Sequence, residues 1–508
     1  MVDSHIARKA LMDAVKPNRY SEETLERLVA SHDLAPMPKV AALAFKMMPD
    51  MVIHPKEAEE VAEIVRIATS WGIPITPRGG ASWGFGGAVP NKGGIMLDMT
   101  SMDRIVGLDT ERGIVRVQPG VVWLRLDEWL RRRGYFVPYY PSSAPGATIG
   151  GWISTGGVGV GSYKYGAARD NVRSLQVVLP SGRILETAHM FDSRHPSDFD
   201  MTSLFVGSEG TLGVVTSIDL QVYPVPEAFV PVSYSFQNMD AVSVALNRIS
   251  EAKLKPYHVA FLDDNTFRFL RAMGRHAPEV GGMVNIVFEG PKARVEEEIK
   301  FFDALMSSIG GKREGDEIAN HEWSERSYEL RTKKLGTGAV IGEALVPVAQ
   351  TAVVARETVA LVKKMKMNLA FNGYLIDRGT VAFLPYYLTD ERRWIKAISS
   401  LSFVKKFLDI SNKHGGRGVG LGLFMSSNVH MMRDRETVEL LRYIKESIDP
   451  ERRINGGKTV AMETRYGIKI PPALFRLGMN ALALFKRFYP RDKYDRPVPG
   501  GFPGGEHQ

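Results

Sequence analysis

Three glycine-rich segments hold the residues of this chain best suited to chemistry. The first, Pro77-Arg-Gly-Gly-Ala-Ser-Trp-Gly-Phe-Gly-Gly87, follows the short apolar stretch Ile73-Pro-Ile-Thr76. Without Cβ atoms, glycines let successive backbone N–H groups converge on phosphate oxygens, so such a loop suits a pyrophosphate; alone, it reads equally well as a tight solvent loop. The second, Pro141-Ser-Ser-Ala-Pro-Gly-Ala-Thr-Ile-Gly-Gly-Trp-Ile-Ser-Thr-Gly-Gly-Val-Gly-Val-Gly161, continues as Ser162-Tyr-Lys-Tyr-Gly166. Its Gly157-Val-Gly-Val-Gly161 lacks the G-x-G-x-x-G spacing and a suitable preceding strand, which sets aside a nicotinamide-binding turn. The third, Gly207-Ser-Glu-Gly-Thr-Leu-Gly-Val-Val-Thr216, runs directly into an alternating strand. Clusters of this kind in one chain point to a shared ligand.

These loops need elements to hold them. Over residues 56–72, Val61, Ile64, Val65 and Ala68 fall at helical spacing and Gly72 stands where helices commonly stop, so a helix packed on a sheet is expected. Strands are expected at 94–97, 113–118, 175–179 and 214–222, the last with Val214, Thr216, Ile218, Leu220 and Val222 on one face. A turn at Pro180-Ser-Gly182 joins two strands, and residues 121–133, closed by Gly134, read as a second helix. After Pro224-Val-Pro226, helical patterns at 241–252, 294–309 and 350–364 alternate with short apolar runs, as in a second α+β region. An amphipathic helix at 436–448 ends at Asp449-Pro450. The expected divisions are an N-terminal lead (1–50), a first domain (51–226), a second domain (227–434), a return segment (435–467) and a basic amphipathic tail (468–508). In that tail Leu474, Leu477, Ala481, Leu484, Phe485 and Phe488 share one side and Arg476, Lys486 and Arg487 the other, a pattern for an anionic membrane surface or for packing on the protein's own core.

The chain has 508 residues, 44% hydrophobic and 24% charged, enough to bury more than one core. It contains no cysteine, which excludes disulfides, thiol nucleophiles, cysteine-bound zinc and cysteine-ligated iron–sulfur clusters; an electron relay would lie on another molecule. The net charge of +8 is spread over scattered Lys and Arg without a basic stripe or stacking aromatics, so nucleic acid is not an expected partner. No run approaches the roughly 18 apolar residues of a membrane span, and the first residues lack an apolar signal core. The expected location is cytoplasmic, peripheral on the inner face of the membrane if the tail binds there.

In order, PRGGAS, PSSAPGATIGGWIST, KYGAARDNV and SEGTLGVVTSIDLQVYP resemble the FAD-binding domain of the vanillyl-alcohol oxidase and p-cresol methylhydroxylase superfamily, on the branch of glycolate oxidase, D-lactate dehydrogenase and alkyl-dihydroxyacetone-phosphate synthase. SIDPERRINGGKTV resembles that family's return to the flavin domain, so the likeness spans nearly the whole chain. It implies an α+β fold with a two-part FAD-binding domain of the p-cresol methylhydroxylase type and an α+β substrate-cap domain. By the same resemblance Arg78, Gly79, Gly80, Ala81 and Ser82 cradle the pyrophosphate and Gly86 and Gly87 complete the loop. Pro141, Ser142, Thr148, Gly150, Gly151, Ser154 and Thr155 line the isoalloxazine and ribityl chain. Glu209, Gly210 and Val215 approach the adenosine and pyrophosphate, and Asn455 and Lys458 belong to the closing motif.

The departures from the family carry as much. Members that bind FAD through a histidine in the first loop hold it where this chain has Ala81, which implies noncovalent FAD. Metal-dependent 2-hydroxy-acid dehydrogenases of the family show a histidine-rich stretch and then an EHG-type motif; here NGYLIDRGTVAFLPYYL and NKHGGRGVGLG lack them, with Gly416 and Arg417 in place of the acid and the histidine, so no metal is implied. Tyr386, Tyr387, His414, Arg417 and His430 stay open as proton acceptors. Arg331 and Lys334, in SYELRTKKLG, lie where the family often places a cation for the substrate carboxylate, and a guanidinium fork suits that group; a charged helix end is the alternative. The implied activity is dehydrogenation of a hydroxylated, anionic small molecule such as a 2-hydroxy acid, with hydride passing to FAD and electrons to an external quinone, cytochrome or electron-transfer flavoprotein. A homo-oligomer is the expected assembly. Two competing classes are non-redox alkyl transfer, to which IGGWIST and HVAFLDDNTFRF bear some likeness, and a flavin subunit that only relays electrons.

Overall fold

A computed structural model describes residues 5–35, 42–188, 199–327, 338–365, 367–389, 394–423, 425–426, 429–471, 473–474 and 477. Arg331, Lys334 and the tail beyond Leu477 lie outside the described residues. The chain divides into two compact units, one of residues 1–157, 167–224 and 420–475, the other built on 158–166 and 225–419. The divisions thus fall at 225 and 420, where the sequence suggests 227 and 435, and residues 158–166 leave the second glycine cluster for the other unit. Among the described residues no helix is long and apolar enough to cross a membrane.

The first unit holds two sheets. In one, β1 (Tyr20–Ser21), β2 (Met51–Ile53), β3 (Ile75–Arg78) and β4 (Ile95–Asp98) lie in the order β1-β2-β4-β3, with β4 parallel to β2 and β3. The helix Ala58–Ser70 crosses from β2 to β3 and buries Val61, Ile64, Val65 and Ala68, the stripe its spacing predicts, together with Ile67. Each buried aliphatic of this kind contributes about 1.5–3 kcal/mol. Gly72 ends it at φ 66°, a left-handed turn that lets Ile73 N–H reach Ala68 O at 2.8 Å.

In the other sheet β5 (Ile105–Asp109), β6 (Ile114–Val117), β8 (Val172–Val178), β9 (Ile184–Glu186) and β10 (Val214–Gln221) run antiparallel in the order β5-β6-β10-β8-β9, while β7 (Tyr135–Phe136) and β11 (Tyr223–Pro224) pair as a ribbon. The turn at Pro180-Ser-Gly182 does join β8 to β9, with Gly182 N–H on Leu179 O at 2.8 Å. β10 departs from the one-faced alternation: it is central, buried on both faces, and shifts register between Val215 and Ser217 and between Asp219 and Leu220. On its second face Asp219, 4% exposed, receives a forked pair from Arg116 at 2.7 and 2.6 Å and Ser174 Oγ at 2.7 Å, which satisfies a buried charge. The closing segment returns beside β3, where Ile75 N–H donates to Arg453 O at 2.8 Å and Asn455 N–H to Ile75 O at 2.7 Å.

Among the described residues the second unit holds one nine-stranded antiparallel sheet. β12 (Ala228–Phe236), β13 (His258–Asp263), β14 (Gly282–Gly290), β15 (Lys312–Arg313), β16 (Gly338–Ile341), β17 (Ala344–Pro347), β18 (Leu369–Leu375), β19 (Thr380–Thr389) and β20 (Arg417–Gly418) take the order β15-β12-β14-β13-β18-β19-β17-β20, with β16 also on β19. The helices expected at 241–252, 294–309 and 350–364 are Met239–Glu251, Lys292–Ser308 and Thr351–Met365. Two faces can be told apart by what packs on them. Gly282 meets Val242 of Met239–Glu251, and Phe288 meets Phe302 of Lys292–Ser308 at 5.3 Å, on one side; Met283 packs with Phe267, Leu270 and Ile318 on the other.

Candidate functional site

The first glycine loop leaves the end of β3. A Cβ on Gly79 would meet Thr148 Oγ1 at 2.2 Å, and one on Gly80 would meet Gly146 O at 2.1 Å, so only glycine lets the two clusters touch. Between them and Ser82, Ala81 sits at φ 49°, a left-handed conformation that costs a non-glycine residue on the order of 1 kcal/mol or more. Gly80 N–H donates to Thr148 Oγ1 at 3.3 Å, whereas among the described residues the N–H groups of Gly79, Ala81 and Ser82 have no protein partner. A strained turn with free N–H groups is the kind of concavity that anions occupy, and its chemistry suits a diphosphate group. Arg78 turns the other way. Its guanidinium donates to the carbonyl of His32, and burial lowers its pKa against the opposing fields of Asp98 and Asp33.

In the second cluster Thr148 caps the helix Ile149–Ser154 by accepting from Gly151 N–H at 3.3 Å, so one hydroxyl serves this helix and the first loop together. Gly150 answers to packing, since its Cβ would fall 2.4 Å from Pro119 Cβ. Thr155 Oγ1 donates to Trp152 O at 2.7 Å, Ser154 O accepts Glu209 N–H at 2.7 Å, Pro141 O accepts Ala144 N–H at 3.0 Å, and Ser142 is half-buried nearby in the chain. Val215 lies within β10 opposite Val177.

The third cluster and the closing motif meet the first loop in a buried polar clasp. Glu209, left-handed at φ 53°, accepts Leu421 N–H and Gly422 N–H, each at 2.7 Å, one on each carboxylate oxygen. Its side chain thereby holds the segment after Val419. Gly210 follows at φ 66°, where a Cβ would fall 2.9 Å from Pro77 Cγ. Asn455 Nδ2 donates to Glu209 O at 2.8 Å and to Gly87 O at 3.2 Å; Lys458 Nζ donates to Gly87 O at 2.8 Å and to Asn455 Oδ1 at 2.6 Å. Burial pushes the Lys458 ammonium down to about 7, opposed by the carboxylates of Asp33 and Glu209, and burial raises both of those acids. Gly86, at φ 80°, makes the bend on which this clasp closes. Asp33, which accepts Ala35 N–H at 2.8 Å and Ala88 N–H at 3.4 Å, gave no motif signal.

The described proton-acceptor candidates have separate settings. Tyr386 is 1% exposed, packed with Phe269 and Ala370, and its hydroxyl donates to Thr266 Oγ1 at 3.4 Å. Tyr387 is buried edge-on to Phe403, at 5.4 Å. His414 Nε2 pairs with Glu357 Oε1 at 2.9 Å, alongside Lys413, in an ion-pair cluster at the end of the helix Trp394–Lys413. Arg417 is exposed on β20, and His430, in the first unit, contacts Arg442 at 3.1 Å. Among the described residues no three His, Asp or Glu side chains gather as a metal site would require.

The sequence did not single out three polar residues of the second unit's sheet. His258, 4% exposed on β13, accepts Gly161 N–H on Nδ1 at 3.4 Å; burial, then Arg326, pushes it down to about 3, so it is a neutral ring carrying its proton on Nε2. Asp263 caps the helix Asp264–Ala272 through Thr266 N–H and Oγ1, both at 2.8 Å, and burial raises it to about 7. Asn372, the only polar side chain of the β18 run Leu-Ala-Phe-Asn-Gly-Tyr-Leu apart from a tyrosine, is 6% exposed. That single amide in an apolar run is a signal a sequence reading can use.

A strained anion loop clasped by a returning C-terminal segment in one unit, with a broad antiparallel sheet making up the other, is the architecture of flavoproteins of the p-cresol methylhydroxylase type. p-Cresol methylhydroxylase with substrate bound superposes with a TM-score of 0.78 at 16% identity over 90% of this chain and 96% of that one. Alkyldihydroxyacetonephosphate synthase gives 0.72 at 21%, over 89% and 86%. The FAD binding domain matches residues 49–188, and the C-terminal domain of FAD linked oxidases matches residues 225–459. The glycolate oxidase subunit GlcD of Bacillus subtilis is 27% identical over 90% of this chain and 97% of its own; a mitochondrial D-lactate dehydrogenase [cytochrome] of Arabidopsis thaliana is 30% identical over 81% and 74%. This chain belongs to the FAD-linked oxidases of the glycolate oxidase and D-lactate dehydrogenase branch; it is an FAD-dependent oxidoreductase.

Proposed function

We propose that the protein is a dehydrogenase that oxidises a hydroxylated, anionic small molecule of the 2-hydroxy-acid class and hands the electrons to an external acceptor. The observation that carries this is the loop at Gly79, Ala81 and Ser82, whose free N–H groups suit a diphosphate, in a chain similar over most of its length to glycolate- and D-lactate-oxidising proteins. Bound FAD supplies the hydride acceptor. The chain's own part is to fix it. Backbone donors meet the pyrophosphate, Thr148 ties the first loop to the second cluster, and Asn455 and Lys458 hold Gly87 from behind. With alanine at position 81 in place of a nucleophile, attachment is noncovalent. Arg331 is the proposed carboxylate anchor, a guanidinium fork being matched to two oxygens. The chain has no cysteine for a cluster relay, which favours a soluble or membrane-borne acceptor, and the name of the plant relative supports a cytochrome among the choices.

Purified protein supplied with a dye acceptor should turn over 2-hydroxy acids and ignore nicotinamide cofactors, and Arg331→Met should raise KM far more than it lowers kcat. Acid precipitation should release all the FAD. Flavin retained in the pellet would end the noncovalent reading, and an unchanged KM would move the carboxylate site elsewhere.

A further inference from the structure

The second unit keeps a buried amide that no side chain of its own satisfies. Asn372 is 6% exposed and its Oδ1 has no hydrogen-bond partner. In register it stands between Leu262 of β13 and Leu384 of β19, and two residues away on its own strand lie Ala370 and Tyr374. The nearby hydroxyls are committed, Tyr374 to Val158 O at 3.2 Å and Tyr386 to Thr266 Oγ1 at 3.4 Å. Leaving such an acceptor unpaired costs about 1–3 kcal/mol, and an apolar side chain of the same volume would remove that cost. The same sheet face is only partly covered: Ala260, Leu262 and Leu345, around the cluster of Tyr374, Ala382 and Leu384, are half-buried. Oδ1 itself is covered, so a ligand on this face meets it by moving aside the side chains of its register neighbours Leu262 and Leu384.

We propose that Asn372 is a specificity residue of the substrate site, accepting a hydrogen bond from a donor group on the substrate other than the hydroxyl that is oxidised. The reacting hydroxyl gives its one proton to a base, so the donor that Oδ1 awaits is a second O–H that survives the reaction. Leu262 and Leu384 on either side favour a hydrocarbon frame for it. The substrate class is then a 2-hydroxy acid with an additional hydroxyl on an alkyl or aryl side chain. This rests on the dehydrogenase reading above.

The test pairs two acids with their hydroxylated counterparts: lactate with glycerate, and 3-phenyllactate with 3-(4-hydroxyphenyl)lactate, each mixed anaerobically with the holoenzyme while flavin absorbance is followed. Wild type should favour the hydroxylated member of at least one pair by about tenfold or more in apparent affinity. Asn372→Leu should fold with full FAD and an equal or higher denaturation midpoint, yet lose that preference. Asn372→Thr, which keeps an oxygen acceptor, should recover part of it. A wild type without preference, or a Leu variant that weakens both members equally, overturns the proposal while leaving the dehydrogenase reading intact. Failure of all four acids to reduce the wild-type flavin overturns both.

Discussion

The two units differ in the kind of group that their candidate sites leave open. In the flavin unit every buried charge discussed is answered inside the chain: Asp219 by Arg116 and Ser174, Glu209 by two backbone N–H groups, Lys458 by Gly87 O and Asn455, Lys445 by Asp449 at 2.5 Å. At its first glycine loop what it leaves open is backbone, strained at Ala81. The cap sheet does the reverse, with its backbone consumed in nine paired strands and a side chain, Asn372, left without a partner. A diphosphate is the same in every FAD, so fixed backbone donors can meet it. Substrates differ, and a side chain is what a single codon can change. The contrast teaches where to look for specificity in such a chain.

The largest effect should come from breaking the clasp. Lys458→Met strips the donor from Gly87 O and Asn455 Oδ1 and leaves the carboxylates of Asp33 and Glu209 without their cation, a loss of about 3–5 kcal/mol that should appear as a lowered denaturant midpoint and flavin-depleted protein. Full flavin content and an unshifted midpoint would reduce the clasp to decoration.

In the cap the matching probe is pH. His258 is held below its unfolded value of about 6.5, at about 3, so the folded state binds the proton less well than the unfolded one. Its stabilisation is complete above pH 6.5 and is lost as pH falls, by about 3 kcal/mol at pH 4. His258→Asn should flatten the unfolding curve across that window, and an equally steep curve would assign the acid sensitivity to other groups.

A smaller loss, about 1.5–3 kcal/mol, is expected for Glu209→Gln, which keeps the shape but places an amide nitrogen against Leu421 N–H or Gly422 N–H. Thermal unfolding should move with flavin release, and a shift without flavin loss would separate the two. Strong chelators should do nothing to turnover, because the expected histidines and EHG acid are missing; inhibition reversed by one divalent ion per chain would restore a metal to the site.

Much of this was legible in the residues. Helical spacing at Val61, Ile64, Val65 and Ala68 located the crossover helix, and glycine density located the loop, because both depend on local rules. Thr148, Asn455 and Lys458 were named from motif order alone, and they do meet the first loop. What periodicity missed is non-local. β10 is covered on both faces, so Asp219 could not be read as buried. The stretch at residues 158–166 reads as one glycine run with its neighbours yet packs with the cap, through Gly161 on His258 and Val158 on Tyr374. Arg78 and Glu209 carry motif side chains that the fold turns inward, to His32 O and to Leu421 and Gly422. No spacing rule announces that a charged group in such a motif also holds the protein's own backbone.

The central claim, oxidation of a hydroxy acid on bound FAD, is met most directly by anaerobic mixing of purified holoenzyme with 2-hydroxy acids, simple alcohols and sugars while the flavin absorbance near 450 nm is watched (about the usual band of an oxidised flavin). The account predicts bleaching by one or more 2-hydroxy acids, restored by an artificial electron acceptor. Flavin that stays oxidised with every hydroxy acid, in protein that still carries full FAD, would contradict it.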